Sequence, residues 1–420
     1  MGVERRQNRV VVVGGGQAGH QVAASLRERG YEGDVTLVCG EDELPYERPP
    51  LSKSYLQGAG DESRLWLRPE TYYARHSIER VTAFAVDIDR AGRTALLDDG
   101  GIRGYDHLVL ATGARARTLQ APGSGLKGIR TLRTLADARL VRAELAEAAH
   151  VVVIGAGFIG LEFAASARES GCEVTIVEAR ERPLMGITST TTAAHLLSLQ
   201  HQRGVESLFQ QSVTAFHGRD GRVAAVELSD GRRLPADLVL VGVGVTPDTR
   251  LAEAAGLTVD GGIVTDSHLL TSDPGISAVG DCAVFPSPRT GTPVRIESVQ
   301  NAADQARLVA ARLTGSSHPY EALPWFWSKQ FGTSLQIAGL GQGFDAEVYV
   351  VDSPDAFSVL LFRGDELLAV ESVNRPADHL AARRLLDNRI PLSRRDATAA
   401  DFSLSGHLKA HTGGSALAAV

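Results

Sequence analysis

Six glycines have the spacing that most directly predicts chemistry in this sequence. They form two G-x-G-x-x-G motifs, Gly14, Gly16, Gly19 and Gly155, Gly157, Gly160. In such a motif the first glycine permits a tight turn, the second lets the backbone approach a pyrophosphate, and the third lets a helix pack against a strand. The helix N-terminus then offers unpaired N–H groups to the phosphates. Two dinucleotide-binding turns are therefore expected.

The segments around both motifs have the elements that such turns require. RVVVVGGGQAG and HVVVIGAGFIG each begin with an apolar strand, and YDHLVLATG and DLVLVGVG are later apolar runs that stop at glycine. The predicted helices and second strands are Gln21–Arg29 with Val35–Val38, and Leu161–Ser170 with Val174–Val177. Short apolar runs that end at glycine are typical of buried parallel strands. The pattern predicts two β–turn–α–β units, far enough apart for two domains.

Acidic residues at the end of the second strand help to assign the dinucleotides. Glu178 directly follows VTIV, where a carboxylate accepts hydrogen bonds from a ribose 2′-OH and repels a 2′-phosphate. This favours NADH over NADPH, although Arg180 and Arg182 lie nearby and arginine can bind a 2′-phosphate. In the first unit Cys39 occupies the equivalent position, and Glu41 is the candidate ribose ligand.

Composition excludes several other classes of protein. The chain has 420 residues and a formal charge of −7, which argues against a generally basic nucleic-acid binder. Its three cysteines do not form a C-x-x-C pair, so we expect neither a disulfide framework nor a metal site, and reduced thiols suggest the cytoplasm. No signal peptide and no membrane span of about 20 apolar residues is expected.

The rest of the chain has residue patterns that predict other secondary structure. Residues 297–313 have helical spacing, and from about Pro319 the runs WFWSKQ, EVYVVD and FSVLLF predict an antiparallel sheet. Residues 377–390 predict a closing helix, and the chain from about Ser403 is expected to be loose.

Eight segments together resemble the FAD-dependent ferredoxin reductases of bacterial oxygenase systems, within the wider group of glutathione-reductase-like flavoproteins. They are GGGQAG, LPYERPPLSK, LVLATGARAR, VVIGAGFIGLE, GVGVTPD, AVGDCA, RIESVQNA and PWFWSKQ, and the resemblance runs from Arg9 to about Leu392. It implies an α/β fold with two Rossmann-like dinucleotide-binding domains and a C-terminal α+β domain. The implied domains are FAD-binding (1–115 and 248–318), NADH-binding (116–247) and C-terminal (319–420).

The resemblance also implies site residues. Arg48 and Lys53 should reach FAD, with Pro50 and Val299 against the flavin and Asp281 on its ribityl chain. With the glycine turn, the ribose candidate and their neighbours, the FAD set is Gly14, Gly16, Gln17, Ala18, Gly19, Glu41, Arg48, Pro50, Lys53, Ala85, Ala111, Thr112, Gly113, Arg133, Gly280, Asp281, Ser298, Val299 and Trp327. The NADH set is Gly155, Gly157, Phe158, Ile159, Gly160, Glu178, Gly242, Val243, Gly244 and Glu297.

Lys53 and Glu162 are the candidate catalytic residues, as an ion pair beside flavin N5. A cation there favours the reduced, anionic flavin. The alternative interpretations are a solvated loop lysine for Lys53 and, for Glu162, a helix-surface glutamate of the kind common near a helix N-terminus. The segment PPLSKSY lacks the cysteine pair that disulfide reductases of the wider group carry, so one-electron release to an external acceptor is favoured.

The expected acceptor is a 2Fe-2S ferredoxin that serves an oxygenase, either a haem monooxygenase or an aromatic-ring dioxygenase. Arg68, Arg307 and Lys329 are candidate docking residues, because ferredoxins are usually acidic. Trp325 and Trp327 either cover the flavin edge or pack in a core. The alternatives are a rubredoxin reductase, an NADH-binding redox sensor like apoptosis-inducing factor, and an NADH oxidase. No nucleic-acid or membrane partner is expected, and the oligomeric state is left open between monomer and weak dimer.

Overall fold

The computed structural model describes residues 8–58 and 61–412. These residues divide into two compact units, which the chain enters more than once. The first unit comprises the described residues of Met1–Arg48, Gly60–Arg115 and Val245–Ala322, and the second comprises those of Pro49–Ala59, Ala116–Gly244 and Leu323–Val420.

A five-stranded parallel sheet forms the centre of the first unit. In spatial order its strands are Ile276–Ala278, His107–Leu110, Arg9–Val13, Asp34–Cys39 and Ile78–Thr82. Residues 10–13 and 107–110 are buried along their whole length, which explains why these strands read as continuous apolar runs. Helices Gln17–Glu28 and Val299–Leu313 pack against each other in the core beside this sheet.

Smaller elements complete the first unit. Two three-stranded sheets consist of Ala85–Asp89, Thr94–Leu97 and Ile102–Gly104, and of Ile263–Val264, Ala283–Pro286 and Pro293–Val294. The short helices are Glu62–Leu65, Glu70–Arg75, Arg250–Ala254 and Gly280–Cys282. The strands Ala114–Ala116 and Val245–Pro247 lie where the chain passes from one unit to the other.

A second five-stranded parallel sheet lies in the second unit. Its spatial order is Val205–Phe209, Glu173–Glu178, His150–Ile154, Leu238–Val241 and Ile129–Arg130. The helices of this part are Pro49–Ser52, Leu135–Leu145, Phe158–Glu169 and Thr190–Gln202, and an antiparallel sheet consists of Val213–Arg219, Arg222–Leu228 and Arg233–Pro235. Both predicted β–turn–α–β units are therefore present.

The C-terminal part of the second unit is an antiparallel sheet covered by helices, as its sequence predicts. The strands, in spatial order, are Trp325–Gln330, Thr333–Gly339, Glu366–Val373, Ala356–Arg363 and Ala346–Ser353. The helices are Pro376–Asp387, Arg394–Ala397 and Leu404–Thr412. The expectation of a loose chain from Ser403 is wrong up to Thr412, because Leu404 and Leu408 are buried in this core. The end of that stretch, 413–420, lies outside the described residues.

Two helices begin earlier than the sequence suggests. They start at Gln17 and Phe158, rather than at Gln21 and Leu161, because the third glycine of each motif already lies inside the helix. Within 8–58 and 61–412 no helix has the length and apolar character needed to cross a bilayer.

Candidate functional site

The first glycine turn has the geometry of a pyrophosphate cradle. Gly14 adopts a φ of +118°, and a Cβ there would lie 2.1 Å from the carbonyl oxygen of Ala111. A Cβ on Gly19 would lie 1.9 Å from the carbonyl oxygen of Gly14, so helix and strand touch at this point. At Gly16, by contrast, a Cβ would meet no described atom within 4 Å. The second glycine therefore faces the open space that a phosphate needs.

The second glycine turn repeats this geometry. Gly155 has a φ of +102°, with a Cβ position 2.5 Å from the carbonyl oxygen of Gly242, and the Cβ of Gly160 would lie 2.0 Å from the oxygen of Gly155. Gly157 again faces space without a described atom within 4 Å. Gly16 and Gly157 are the N-caps of their helices, and no described side chain caps either one. The helix N–H groups and the positive dipole end are thus left for a ligand.

A polar cluster follows the second strand of the first unit. Glu41 accepts hydrogen bonds from Tyr46 at 2.6 Å and from the Arg48 guanidinium at 2.7 Å. The predicted ribose ligand and the predicted FAD arginine therefore share one cluster. Cys39, at the strand end, is buried, and a Cβ on Gly15 would lie 2.6 Å from its Sγ. The position is occupied by a packing residue, which explains the displaced carboxylate.

The AVGDCA segment returns to the same place in the first unit. Gly280 has a φ of +78°, and a Cβ there would lie 3.1 Å from the Cβ of Ala18, in the helix that follows the first glycine turn. The Gly280 N–H donates to Gln305 Oε1 at 2.7 Å, which fixes the turn that carries Asp281. The structure thus brings Asp281 to the helix N-terminus that faces the predicted FAD phosphates.

The other predicted FAD residues lie on strand ends and caps. Ala111 packs beneath the first glycine turn, and Thr112 Oγ1 donates to the carbonyl oxygen of Asp248 at 2.6 Å. Ser298 is buried and caps the helix Val299–Leu313 by accepting the N–H of Asn301. The remaining positions are Gln17 beside the turn, Gly113 with φ +69°, Ala85 at the start of an edge strand, Arg133 before a helix, and Pro50 in a one-turn helix.

Glu297, Ile159 and Gly244 are the exposed members of the predicted NADH set. Glu297 is exposed and pairs with Arg295 at 2.6 Å, and Arg295 also donates to the carbonyl oxygen of Asp281. Ile159 is 44% exposed, whereas Phe158 stacks on Phe326 with ring centroids 4.5 Å apart. Gly242, Val243 and Gly244 form the strand end that passes beneath the second glycine turn.

Glu178 lies against the second glycine turn, as predicted from its place in the chain. Its carboxylate accepts the N–H of Ala156 at 2.7 Å and that of Arg180 at 2.9 Å. The guanidinium of Arg180 donates to the carbonyl oxygen of Met185, and that of Arg182 to those of Pro183 and Thr188. Both arginines therefore hold the loop 183–188, and the acidic group is the one placed at the turn.

An ion pair joins the partly exposed Lys53 to the buried Glu162. Lys53 Nζ lies 2.6 Å from Glu162 Oε2 and donates to the carbonyl oxygen of Pro49 at 3.1 Å. The Glu162 carboxylate also accepts the hydroxyls of Ser52 and Ser328, each at 2.7 Å. Glu162 is 3% exposed, so its interpretation as an ordinary surface acid is wrong. The predicted ion pair is present.

Three residues of these clusters were missed from the sequence. Tyr46, Ser52 and Ser328 are common residue types without motif spacing, and a local pattern gives no sign of their partners. PPLSK and PWFWSKQ did mark the segments that contain Ser52 and Ser328.

The cysteines cannot serve as a redox dithiol. Cys39, Cys172 and Cys282 are all free and buried. Burial raises the pKa of all three thiols, that of Cys39 to about 11, so they stay protonated at neutral pH.

Trp325 and Trp327 are partly buried, with ring centroids 5.4 Å apart, and Arg383 lies over the Trp325 ring.

Comparisons with known proteins cover nearly the whole chain. The family model "Pyridine nucleotide-disulphide oxidoreductase" matches residues 8–306, and "Reductase C-terminal" matches 325–408. Rhodocoxin reductase of Rhodococcus erythropolis is 46% identical over 96% of this chain and 95% of its own length. The ferredoxin reductase for the CYP199A2 system from Rhodopseudomonas palustris has a TM-score of 0.93 at 46% identity, covering 95% of this chain and 99% of that one.

A further solved structure is the covalent putidaredoxin reductase–putidaredoxin complex. It has a TM-score of 0.93 at 40% identity, and the match covers 97% of this chain and 99% of that chain. These likenesses confirm the glutathione-reductase-type fold with a C-terminal reductase domain, and the two glycine turns fit FAD and a nicotinamide dinucleotide. The chain belongs to the pyridine nucleotide-disulphide oxidoreductase family, as an FAD- and NAD-dependent member of ferredoxin reductase type.

Proposed function

We propose that this protein is a flavoprotein reductase that passes electrons from NADH to a 2Fe-2S ferredoxin serving an oxygenase. The observation that carries the proposal is the likeness to putidaredoxin reductase, which was solved in covalent complex with putidaredoxin and matches 97% of this chain. The C-terminal match over 325–408 extends this likeness beyond the two dinucleotide-binding parts.

FAD supplies hydride acceptance from a nicotinamide and release of single electrons when it is bound. The chain's own residues bind and orient: the first glycine turn holds the FAD pyrophosphate, and the second holds that of NADH. Asp281 and Arg48 hold polar parts of FAD. Lys53 places a cation beside the flavin, and Glu162 keeps that lysine in position. The other residues predicted for each dinucleotide belong to the same proposal.

Electron exit requires an external acceptor in this proposal. The buried, free cysteines supply no dithiol, and free thiols also support a cytoplasmic location. Arg68, Arg307 and Lys329 are exposed and are the docking candidates for an acidic partner. The proposal includes the three domains: FAD-binding (1–115 and 248–318), NADH-binding (116–247) and C-terminal (319–420).

The test is steady-state reduction of ferricyanide and then of purified [2Fe–2S] ferredoxins, with NADH and with NADPH. We expect ferredoxin reduction with NADH, at a kcat/KM well above that with NADPH. Rubredoxin reduction at the higher rate would favour the rubredoxin alternative. Flavin reduction by NADH without turnover of either acceptor would favour a redox sensor.

Glu178 provides a sharper test of the coenzyme preference. We expect Glu178→Ala to raise the KM for NADH about tenfold, because the variant loses the hydrogen bonds between the charged carboxylate and the ribose. NADPH should remain the poorer coenzyme, because Arg180 and Arg182 are held by backbone carbonyls. The control is Glu173→Ala, an exposed change on the same strand. An unchanged KM for NADH in Glu178→Ala would contradict this assignment.

A further inference from the structure

The carboxylate of Glu162 is held from two separate parts of the second unit. Oε2 lies 2.6 Å from Lys53 Nζ and accepts the hydroxyl of Ser52 at 2.7 Å. Ser52 and Lys53 are neighbours in the chain. Oε1 receives the hydroxyl of Ser328, which lies on the first strand of the C-terminal sheet, at 2.7 Å. Each oxygen therefore has its own anchor, and Ser328 is the anchor on the side away from the lysine.

Behind Ser328 lies a chain of buried amides. Gln330 Nε2 donates to the Ser328 hydroxyl at 3.4 Å, and Gln330 Oε1 accepts Gln200 Nε2 at 2.9 Å. Gln200 also donates to the carbonyl oxygen of Leu161, the residue before Glu162, at 3.0 Å. Ser328, Gln330 and Gln200 are at most 2% exposed. The network closes on the helix that carries Glu162, so it fixes both the carboxylate and its backbone.

The arrangement has a consequence for Lys53. A lysine side chain is flexible, and 23% of the Lys53 side chain is exposed, so its position depends on its partner. If Oε1 lost its donor, the carboxylate would be free to rotate, and the ammonium would no longer be held at one point. Buried hydrogen bonds to a charged group have the strength to prevent this.

We propose that Ser328 is a positioning residue for the Lys53–Glu162 pair, so that the C-terminal sheet takes part in flavin reduction as well as in any docking. The proposal rests on the proposed function, because it takes Lys53 as the cation beside the flavin. Ser328 acts through Glu162 and transfers nothing itself.

The first test compares Ser328→Ala with Ser334→Ala, a change on the neighbouring strand. We expect Ser328→Ala to lower the limiting rate of flavin reduction by NADH about tenfold, with the dissociation constant of NADH unchanged. The midpoint potential of bound FAD should fall, because a cation held less firmly favours the reduced flavin less. Ser328→Thr, which keeps the hydroxyl, should restore both values, and Ser334→Ala should leave both unchanged.

A double-mutant cycle separates positioning from general packing. In a Lys53→Met background, Ser328→Ala should cause no further loss of rate or potential, since its effect passes through the lysine. Equal losses in both backgrounds would overturn the proposal. So would a lower melting temperature with unchanged limiting rate and potential.

Two controls keep the outcome readable. Ser328→Cys nearly preserves the volume and replaces Ser328→Ala if that variant does not fold. The wild-type protein is measured alongside: wild-type flavin that NADH does not reduce would overturn the proposed function itself. Normal wild-type reduction with unaffected Ser328 variants would overturn only the role of Ser328.

Discussion

At Gly16 and Gly157, one added methyl group should separate ligand binding from folding. Both residues have φ values near −80°, which alanine adopts freely, and neither Cβ position has a described neighbour within 4 Å. Alanine at either position should cost the fold only about 1 kcal/mol, as at other helix N-caps. The methyl group would instead occupy the space that a pyrophosphate needs.

We therefore predict that Gly16→Ala loses FAD, while Gly157→Ala retains FAD but binds NADH about tenfold or more weakly. The measurements are the flavin-to-protein ratio, the dissociation constant of NADH, and the melting temperature of the apoproteins. Gly14→Ala is the contrasting variant and should not fold, because its Cβ would lie 2.1 Å from a carbonyl oxygen. The two assignments are wrong if the ligands respond in the opposite order.

At the scale of elements, two carboxylates of the C-terminal sheet cap the helix Thr190–Gln202. Glu371 is fully buried and accepts the Ser189 N–H at 2.8 Å and its hydroxyl at 2.5 Å. Glu347 accepts the N–H of Thr190 and the hydroxyl of Thr191. Negative charge is favourable at a helix N-terminus, so these contacts stabilise the helix.

We predict that Glu371→Ala lowers the free energy of unfolding by about 2–4 kcal/mol, because two buried donors lose their acceptor. Glu366→Ala, an exposed change at the start of the same strand, should change it by less than about 0.5 kcal/mol. Denaturant unfolding of both variants makes the comparison. Equal stability of the two variants would show that the cap contributes nothing.

The two β–turn–α–β units could be predicted because their apolar strands and glycine motifs are local. Strand Glu366–Val373 was missed because Glu371 interrupts its apolar pattern, and its partner Ser189 is far away in the sequence. The same limit applies to the site. Glycine spacing identified both turns and PPLSK identified Lys53, but the hydroxyls of Ser52 and Ser328 gain their role only when distant segments meet.

At the scale of the whole molecule, three buried histidines predict how stability depends on pH. Burial, followed by a nearby arginine, lowers the pKa of His20 and of His379 to about 4 and that of His107 to about 3. Below pH 6.5 these histidines bind protons in the unfolded chain, where their pKa values are near 6.5, but stay neutral in the folded chain. Stability is therefore full above pH 6.5 and is lost progressively as the pH falls towards 4.

We predict a melting temperature that is flat from pH 8 to 7 and falls steeply between pH 6.5 and 4. His107→Gln should make this fall shallower, since one titrating group is removed. His318→Gln, at an exposed position, should leave the slope unchanged. An identical slope in His107→Gln and wild type would contradict the role given to burial.

In the proposed function one chain holds two dinucleotides and lets one reduce the other. The direct measurement is the visible absorbance of the purified protein when it is mixed anaerobically with one equivalent of NADH. We expect about one FAD per chain, whose visible absorbance is bleached by that single equivalent, since a hydride carries both electrons. A colourless protein that takes up no FAD, or a bound flavin that NADH leaves oxidised, would contradict it.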